Sequence, residues 1–276
     1  MSNSPRTLTF AELVQSILDG TKQATIADHL IALALAAQAD PKYRDALEIT
    51  PDTRELGDLV AKALGDGSST AGRAVVAYYE LLRADDADDR NKAVQHSKHL
   101  LTLITRETYP HIWATTHLRI GTALLFMEAV PSKENVLSAI ENLKESLLVF
   151  TAEKTPNEYC LAHYNLAFLY DSPTMVADEW ENPDYTESIL EHGLAAIGLL
   201  NSGVQGGNRA SLAKMLLRLV LSQPMAARTF APTAINIAET TLKARNATPL
   251  SRIDRKELTK YLELIREYVT ADRRNP

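Results

Sequence analysis

The chain has 276 residues, of which 45% are hydrophobic and 23% charged, a composition typical of globular proteins. Its formal net charge of −6 argues against a general affinity for nucleic acid or anionic membranes, and its single cysteine excludes an internal disulfide. Plentiful Ala, Leu, Glu and Lys, with only 11 glycines and 12 prolines, favour helix over strand. We therefore expect an all-α fold.

The first 65 residues predict helices that fit the pattern of the rest of the chain poorly. These helices are expected at about residues 10–18, 23–39 and 52–64. Residues 1–65 are therefore assigned to an N-terminal helical cap or to a small separate module. A DNA-binding module is disfavoured, because the stretch around the second helix carries only Lys22 as a cation.

The start of the sequence, MSNSPRTLTF, lacks the charged residues and apolar core of a secretory signal. The most apolar run, residues 26–39, is interrupted by Asp28 and His29 and is too short to cross a bilayer. We expect a cytoplasmic protein that has no membrane and no nucleic-acid partner.

Further along, the chain repeats itself. Residues 105–124 and 151–170 match in kind at an offset of 46 residues; the matched pairs include Thr105 with Thr151, Glu107 with Glu153, Pro110 with Pro156, Trp113 with Tyr159 and His117 with His163. One position in the second helix of each pair recurs at similar spacing in weaker copies. It is occupied by Ala93, Ala139, Ser188 and Ala234, with offsets of 46, 49 and 46 residues. The extra three residues fall in the loop 171–183, where an insertion is tolerated. Four copies in register predict stacked helical hairpins with one continuous core.

This phase predicts nine helices after residue 65. They are expected at about residues 70–83, 90–105, 111–127, 133–151, 158–171, 185–200, 209–222, 227–245 and 252–270. The array of about four hairpins is assigned to residues 66–250, and residues 251–276 to a C-terminal capping helix with one apolar stripe.

The first helix of each hairpin carries a recognisable signature. It reads His117, Ile120-Gly121 and Leu124 in one copy and His163, Leu166-Ala167 and Tyr170 in the next, and the following helix carries Ala139 and Leu143. This pattern resembles the tetratricopeptide repeat family. Pro-x-x-Trp-Ala-x-Thr at residues 110–116 is similar to the long-period variant of bacterial multi-repeat proteins, although the period of 46 residues departs from about 34. The resemblance implies a right-handed superhelical solenoid with capping helices and a concave groove that binds a partner protein.

The resemblance also implies that polar residues just before the Leu-Gly pair contact the ligand. The matching column contains three cations and an amide: Arg73, Arg119, Asn165 and Lys214. Such a ladder suits carboxylates, so we expect a protein or peptide partner with an acidic segment. The alternative is that these residues pair with acidic neighbours or face water.

An apolar and aromatic strip lies one helical turn from this column. Its members are Leu118, Thr122 and Leu125, with Tyr164 and Phe168 in the next copy. The strip would suit a peptide with mixed anchors, and the alternative is ordinary core between hairpins.

The histidines and the cysteine favour structural roles. His117 and His163 lie in neighbouring repeats, roughly 10 Å apart by the usual helix packing distance, which is too far for one metal ion. We expect buried histidines bonded to the backbone or to a partner helix. His96 and His99 are three residues apart, but no third ligand follows. Cys160 stands where the other copy has alanine and is predicted to be a small packing residue.

The acidic run at residues 85–89 tests the alternative of an enzyme, because all-α isoprenoid enzymes hold magnesium with an aspartate-rich motif. Hard oxygen ligands suit this ion. The run also serves as a solvated turn and as N-terminal charge for the next helix, and the second magnesium motif of such enzymes is missing. We therefore expect no catalytic residue, no metal and no cofactor. The sequence predicts a non-enzymatic scaffold or adaptor, with a small-molecule receptor or a Mg-dependent enzyme that uses the same cavity as the alternative.

Overall fold

The computed structural model describes residues 55, 58–59, 70–86, 88–128, 132–172, 183–222, 224–244 and 249–272. Over these residues the regular structure is helical, without a strand, which confirms the all-α prediction for this part of the chain. The helices are α1 (Thr70–Asp86), α2 (Arg90–Leu101), α3 (Pro110–Phe126), α4 (Lys133–Ser146), α5 (Pro156–Tyr170), α6 (Pro183–Ser202), α7 (Arg209–Ser222), α8 (Pro224–Lys243) and α9 (Arg252–Asp272). The helices predicted before residue 65 lie outside the described residues, apart from Glu55, Asp58 and Leu59, which are helical.

The helix bounds agree with the predicted ones within three residues, except at the ends of α2 and α4. Both helices end four or five residues early. In each, the chain tightens into bonds between residues three apart: Leu103 N donates to the carbonyl of Leu100, and Val149 N donates to that of Ser146. The apolar period continues through this tighter turn, so the sequence pattern alone extends the helices too far.

Side-chain caps fix the starts of α2 and α4. Asp89 accepts a hydrogen bond from Lys92 N before α2, and Ser132 accepts one from Asn135 N before α4. Both side chains satisfy an amide that has no partner inside its helix.

The turns before α3 and α5 are copies of each other. Thr105 Oγ1 accepts from Thr108 N, and Thr151 Oγ1 accepts from Lys154 N, both at 3.3 Å. Each turn leads into a helix with a proline in its first positions, where a missing N–H costs nothing. The repeat found in the sequence is therefore a repeat of backbone geometry as well.

The chain divides into two compact units, Met1–Met127 and Glu128–Pro276. The division falls between α3 and α4, inside the predicted array, and the predicted boundaries after residues 65 and 250 stay predictions. None of the described helices is long and apolar enough to cross a membrane.

In unit 1, α1 packs against α2 and α2 packs against α3. Their shared core includes buried side chains from all three helices and from the preceding segment, with Tyr109 and Trp113 packed on its edge: Leu59, Ala74, Leu81, Leu100, Ile104 and Ile112. The Glu55 carboxylate lies at the start of α3, where it accepts hydrogen bonds from the amides of His111 and Ile112 at 3.2 and 3.0 Å. Negative charge at a helix N-terminus stabilises the first turn.

In unit 2, consecutive helices from α4 to α9 pack on one another in chain order. In addition, α6 contacts α8 and α7 contacts α9. The largest fully buried side chains here include Leu143, Leu166, Leu169, Leu212 and Leu216. Contacts to the next helix and to the one after it are those that stacked hairpins make. The right-handed superhelix stays a prediction.

Candidate functional site

In unit 1 the predicted column contributes Arg73 on α1 and Arg119 on α3. Arg73 is exposed, and its Nη2 donates to Thr70 Oγ1 at 3.3 Å. Val76, one turn further along the same face, is 50% exposed. Arg119 is half-buried, and Phe126, two turns further along α3, is 52% exposed. Each of these helices thus presents a guanidinium beside an accessible apolar side chain.

The strip predicted beside this column divides between core and surface. Leu118 is 6% exposed and belongs to the core of unit 1, as the alternative of ordinary packing expects. Thr122 and Leu125 are half-buried on α3. The accessible apolar contribution of α3 comes instead from Phe126, which the column pattern misses because it lies at the last position of the helix.

In unit 2, α5 holds three of the predicted residues. Asn165 is 1% exposed and therefore lies inside the core. Tyr164 and Phe168 are half-buried, with ring centroids 4.7 Å apart. A Cβ added at Gly207 would overlap with the Tyr164 ring, so the loop before α7 packs directly on this tyrosine. Burial raises the pKa of the Tyr164 phenol, and a hydrogen bond to the Asn208 backbone offsets part of this shift.

Lys214 on α7, the fourth member of the column, already binds carboxylates. Its Nζ donates to Asp254 Oδ1 at 2.9 Å and to Glu257 Oε2 at 2.8 Å, both on α9. Asp254 Oδ2 in turn accepts from Ser251 Oγ at 2.7 Å. The hydrogen bonds to Asp254 and then Glu257 raise the pKa of Lys214, and the bond from Lys214 is the main cause of the lowered pKa of Asp254. Lys214 and Asp254 are therefore held in their charged forms.

A second cation on the same face of α7 was not part of the predicted column. Arg218 lies four residues after Lys214, and its Nη2 donates to Asp171 Oδ2 at 2.6 Å. Asp171 directly follows α5, and burial raises its pKa against the opposing effect of Arg218. The i, i+4 spacing of Lys214 and Arg218 is the signal in the sequence that could have found this residue. The two cations tie α7 to α5 on one side and to α9 on the other.

Two imidazoles meet between α5 and α6. His163 Nδ1 and His192 Nδ1 are 2.9 Å apart, with one ring nitrogen donating to the other. Both side chains are buried, and burial lowers the pKa of each to about 4; the charge of His192 adds to the shift of His163, and that of Lys144 to the shift of His192. The Tyr159 ring lies 4.3 Å from His163, and the Tyr170 ring stacks 5.8 Å from His192. The prediction of a buried histidine bonded to a partner helix is confirmed for His163.

Cys160 is fully buried, and its Sγ lies 3.7 Å from the carbonyl oxygen of Ala196 on α6. Burial raises the pKa of this thiol to about 11, so the reactive thiolate is strongly disfavoured. This confirms that Cys160 is a packing residue.

No group of three or more His, Cys, Asp or Glu side chains could hold a metal ion among the residues that the structure describes. In the acidic run before α2, Asp88 pairs with Arg90 at 2.9 Å and Asp89 pairs with Lys92 at 2.9 Å. The described part of this run therefore forms the turn and the cap of α2.

A cavity of about 260 Å³ lies in unit 2 between the α6–α7 loop and the start of α9. Arg209 lines it and is 6% exposed. Its Nη1 donates to the carbonyl of Thr241, while Arg255 Nη1 donates to that of Leu242. Both carbonyls belong to the last turn of α8, so these two arginines cap a helix C-terminus, where cations are favoured.

Comparison of the chain with protein-family models, curated protein sequences and solved structures gives no match. The resemblance to tetratricopeptide repeats therefore stays a prediction made from the sequence.

Proposed function

We propose that the protein is a non-enzymatic helical-repeat scaffold that binds an acidic segment of a partner protein through the face of unit 1 that carries Arg73 and Arg119. The observation that supports this proposal is the environment of Lys214. It stands at the same repeat position as the two arginines and binds two carboxylates at 2.9 and 2.8 Å. A cation at this position of the repeat is thus placed where acidic side chains from a neighbouring element can reach it.

In unit 1, Arg73 offers this chemistry on an exposed side chain, and Arg119 is half-buried. None of the ion pairs in the described part of unit 1 includes Arg73, which is exposed. Guanidinium binds a carboxylate through two parallel N–H donors, which gives more geometric selectivity than an ammonium. Val76 and Phe126 add apolar contacts beside the charges, as hydrophobic anchors of a partner require.

A charge-reversal variant tests this proposal. The probe is a fluorescent peptide of alternating glutamate and leucine, and its affinity for the full chain is measured by fluorescence anisotropy. Replacing both arginines, Arg73→Glu with Arg119→Glu, should weaken binding at least about 10-fold, because attraction at two sites becomes repulsion.

The matched control is Lys98→Glu with Lys154→Glu, which changes the net charge equally at two exposed lysines outside this face. Circular dichroism verifies that both variants keep their helical content. An equal loss in the control variant would mean that only net charge attracts the peptide, and unchanged binding in the arginine variant would reject the proposed surface.

A further inference from the structure

We infer that the outer face of α9 binds the same face of a second copy of the chain, with the two helices antiparallel. The outer face is defined by four residues: Ile253, Glu257, Lys260 and Leu264. The inference goes beyond the proposed function, because it concerns unit 2 and a different partner.

The outer face lies on the side of α9 that is opposite its buried stripe. Because an α-helix turns about 100° per residue, spacings of four, three and four residues keep the face within about 60°. Leu258, Leu262 and Ile265 are almost fully buried, and they lie about 120–180° around the helix from Ile253. The outer face is therefore turned away from α7 and α8, against which α9 packs.

An exposed apolar side chain stands at each end of the outer face. Ile253 is 71% exposed and Leu264 is 40% exposed. The two residues lie about 16 Å apart along the helix. Because single exposed apolar side chains are normal on a protein surface, the charges between them decide which partner the face fits.

The centre of the outer face carries one acid and one base. Glu257 Oε2 accepts a hydrogen bond from Lys214 Nζ at 2.8 Å, and the Glu257 side chain is still 48% exposed. Lys260 is exposed, and none of the ion pairs that α9 makes with other described residues includes it. Its ammonium is therefore open to a carboxylate of a partner.

A twofold antiparallel pairing matches both the charges and the apolar ends. A twofold axis that passes between residues 258 and 259 places Glu257 opposite Lys260 of the second copy, and the reverse pair forms by symmetry. The same rotation places Ile253 opposite Leu264 at each end. A parallel pairing would instead put Glu257 beside Glu257 and Lys260 beside Lys260, where like charges repel. The outer face is therefore complementary to itself in the antiparallel direction.

A face with the same pattern on α4 defines the competing partner. It carries Leu137, Glu141, Lys144 and Leu148 at the same spacings, with Leu137 48% and Leu148 57% exposed. The Lys144 ammonium, however, already lies over the Tyr170 ring, 5.7 Å from its centroid. Pairing of α9 with α4 of another copy would also be a head-to-tail contact, whereas pairing of α9 with itself closes in a dimer, the commonest form of soluble oligomer. Both points favour pairing of α9 with itself.

The size of the contact predicts a weak dimer. The four residues span about 16 Å of one helix, which is less than a standard interface of about 1,600 Å² requires. We expect a Kd of about 10–100 μM.

Sedimentation equilibrium of the full chain measures this association, over concentrations from about ten-fold below to about ten-fold above the expected Kd. The unaltered chain should reach a dimer and no larger assembly. A chain that stays monomeric throughout would overturn the inference. Growth beyond the dimer would overturn it as well, because a head-to-tail contact continues to add molecules.

The apolar ends are tested by Ile253→Ser with Leu264→Ser, since both positions are exposed and serine there leaves the core intact. This variant should weaken dimerisation at least about 10-fold. Leu137→Ser with Leu148→Ser makes the same change on α4 and should leave dimerisation unchanged. A loss in the α4 variant would show that α4 is the partner, and unchanged dimerisation in the α9 variant would reject the outer face.

The charged centre is tested by Lys260→Glu, which puts two acids opposite each other twice across the twofold axis. Dimerisation should weaken at least about 10-fold, and added salt should reduce this loss. Lys154→Glu is the control, because it changes the net charge equally at an exposed lysine before α5. An equal loss in the control would attribute the effect to net charge and contradict the pairing of Glu257 with Lys260. Circular dichroism verifies that all four variants keep their helical content.

Discussion

Units 1 and 2 use the same first-helix position in different ways. On α1 this position is the exposed Arg73, on α5 it is the buried Asn165, and on α7 it is Lys214 bound to two carboxylates. The turns before α3 and α5 share the hydrogen bond that Thr105 Oγ1 accepts in one copy and Thr151 Oγ1 accepts in the other. The repeat therefore determines where a side chain stands, and the neighbouring helix determines whether it is core, ion pair or free surface.

The histidines show the same division between repeat and neighbour. The Trp113 and His117 rings lie 4.3 Å apart, as do the Tyr159 and His163 rings. In unit 2, α6 adds His192 to this pair at hydrogen-bond distance. Both copies have the aromatic contact, but only the copy in unit 2 has a buried pair of imidazoles. The second imidazole comes from His192, which is not part of the repeated signature.

The largest effect is expected where the α6–α7 loop packs against α5 in unit 2. Gly206 has φ of +130°, and an added Cβ would lie 2.7 Å from the Asn157 carbonyl oxygen and 2.9 Å from Leu161 N. Gly206→Ala should lower the free energy of unfolding by about 3–4 kcal/mol, because backbone atoms on both sides must move. Urea unfolding measures the loss, and hydrogen exchange should place it in α5 to α7.

Gly198→Ala on α6 is the matched control, since a Cβ there meets nothing within 4 Å. Alanine should stabilise this helix position by roughly 0.5–1 kcal/mol. If Gly206→Ala and Gly198→Ala changed the free energy of unfolding equally, the close contact between the α6–α7 loop and α5 would not contribute to stability.

The second-largest effect is expected when the pH is lowered, because unit 2 buries His163 and His192 in their neutral forms. The pKa of His163 and that of His192 are each lowered from 6.5 to about 4, so the unfolded chain binds more protons than the folded chain between these values. The contribution of each histidine to stability should be complete above about pH 6.5 and should be lost as the pH falls toward 4, at a cost of about 3 kcal/mol for each of the two groups.

Urea unfolding across this pH range checks the prediction. His163→Gln with His192→Gln retains the possibility of an internal hydrogen bond and removes the titration of both groups. The stability of this variant should change less between pH 6.5 and 4 than that of the native chain. Parallel pH profiles for the two chains would mean that other groups cause the acid sensitivity.

The smallest expected effect on stability comes from replacing a cation by glutamine at equivalent repeat positions, Arg73 in unit 1 and Lys214 in unit 2. Lys214→Gln should cost about 1 kcal/mol of unfolding free energy, because it removes a partly exposed cation from two carboxylates. Arg73→Gln should leave the stability unchanged within error, since this side chain is exposed. Unfolding at low and high salt distinguishes the two: added salt should reduce the cost of Lys214→Gln, and a comparable cost at Arg73 would contradict the difference between the units.

The sequence predicts the helices well because burial follows the repeat. Ala93, Ala139 and Ala234 carry the phase of the second helices, and each is almost fully buried. The ends of α2 and α4 are missed because apolar spacing does not distinguish an α-helical turn from the tighter turn that Leu103 and Val149 adopt.

The candidate site is less predictable because its contacts are distant in sequence. Lys214 is recognisable from the repeat, but Asp254 and Glu257 lie 40 and 43 residues further along the chain. Asn165 matches the polar column, and its burial depends on neighbours that spacing does not specify. His192 lies after the three-residue shift of the repeat, so the pattern gives no reason to place it beside His163.

The contact of Glu55 with the start of α3 determines how the protein can be shortened. The Glu55 carboxylate binds amides 56 and 57 residues away, and Leu59 is 1% exposed in the core with α1 and α2. A fragment that begins at residue 66, where the sequence predicts the start of the array, would remove this leucine from the core and leave the first turn of α3 without its carboxylate. An isolated binding module must therefore start upstream of residue 55, and its first hairpin can complete its packing only after α3 has been synthesised.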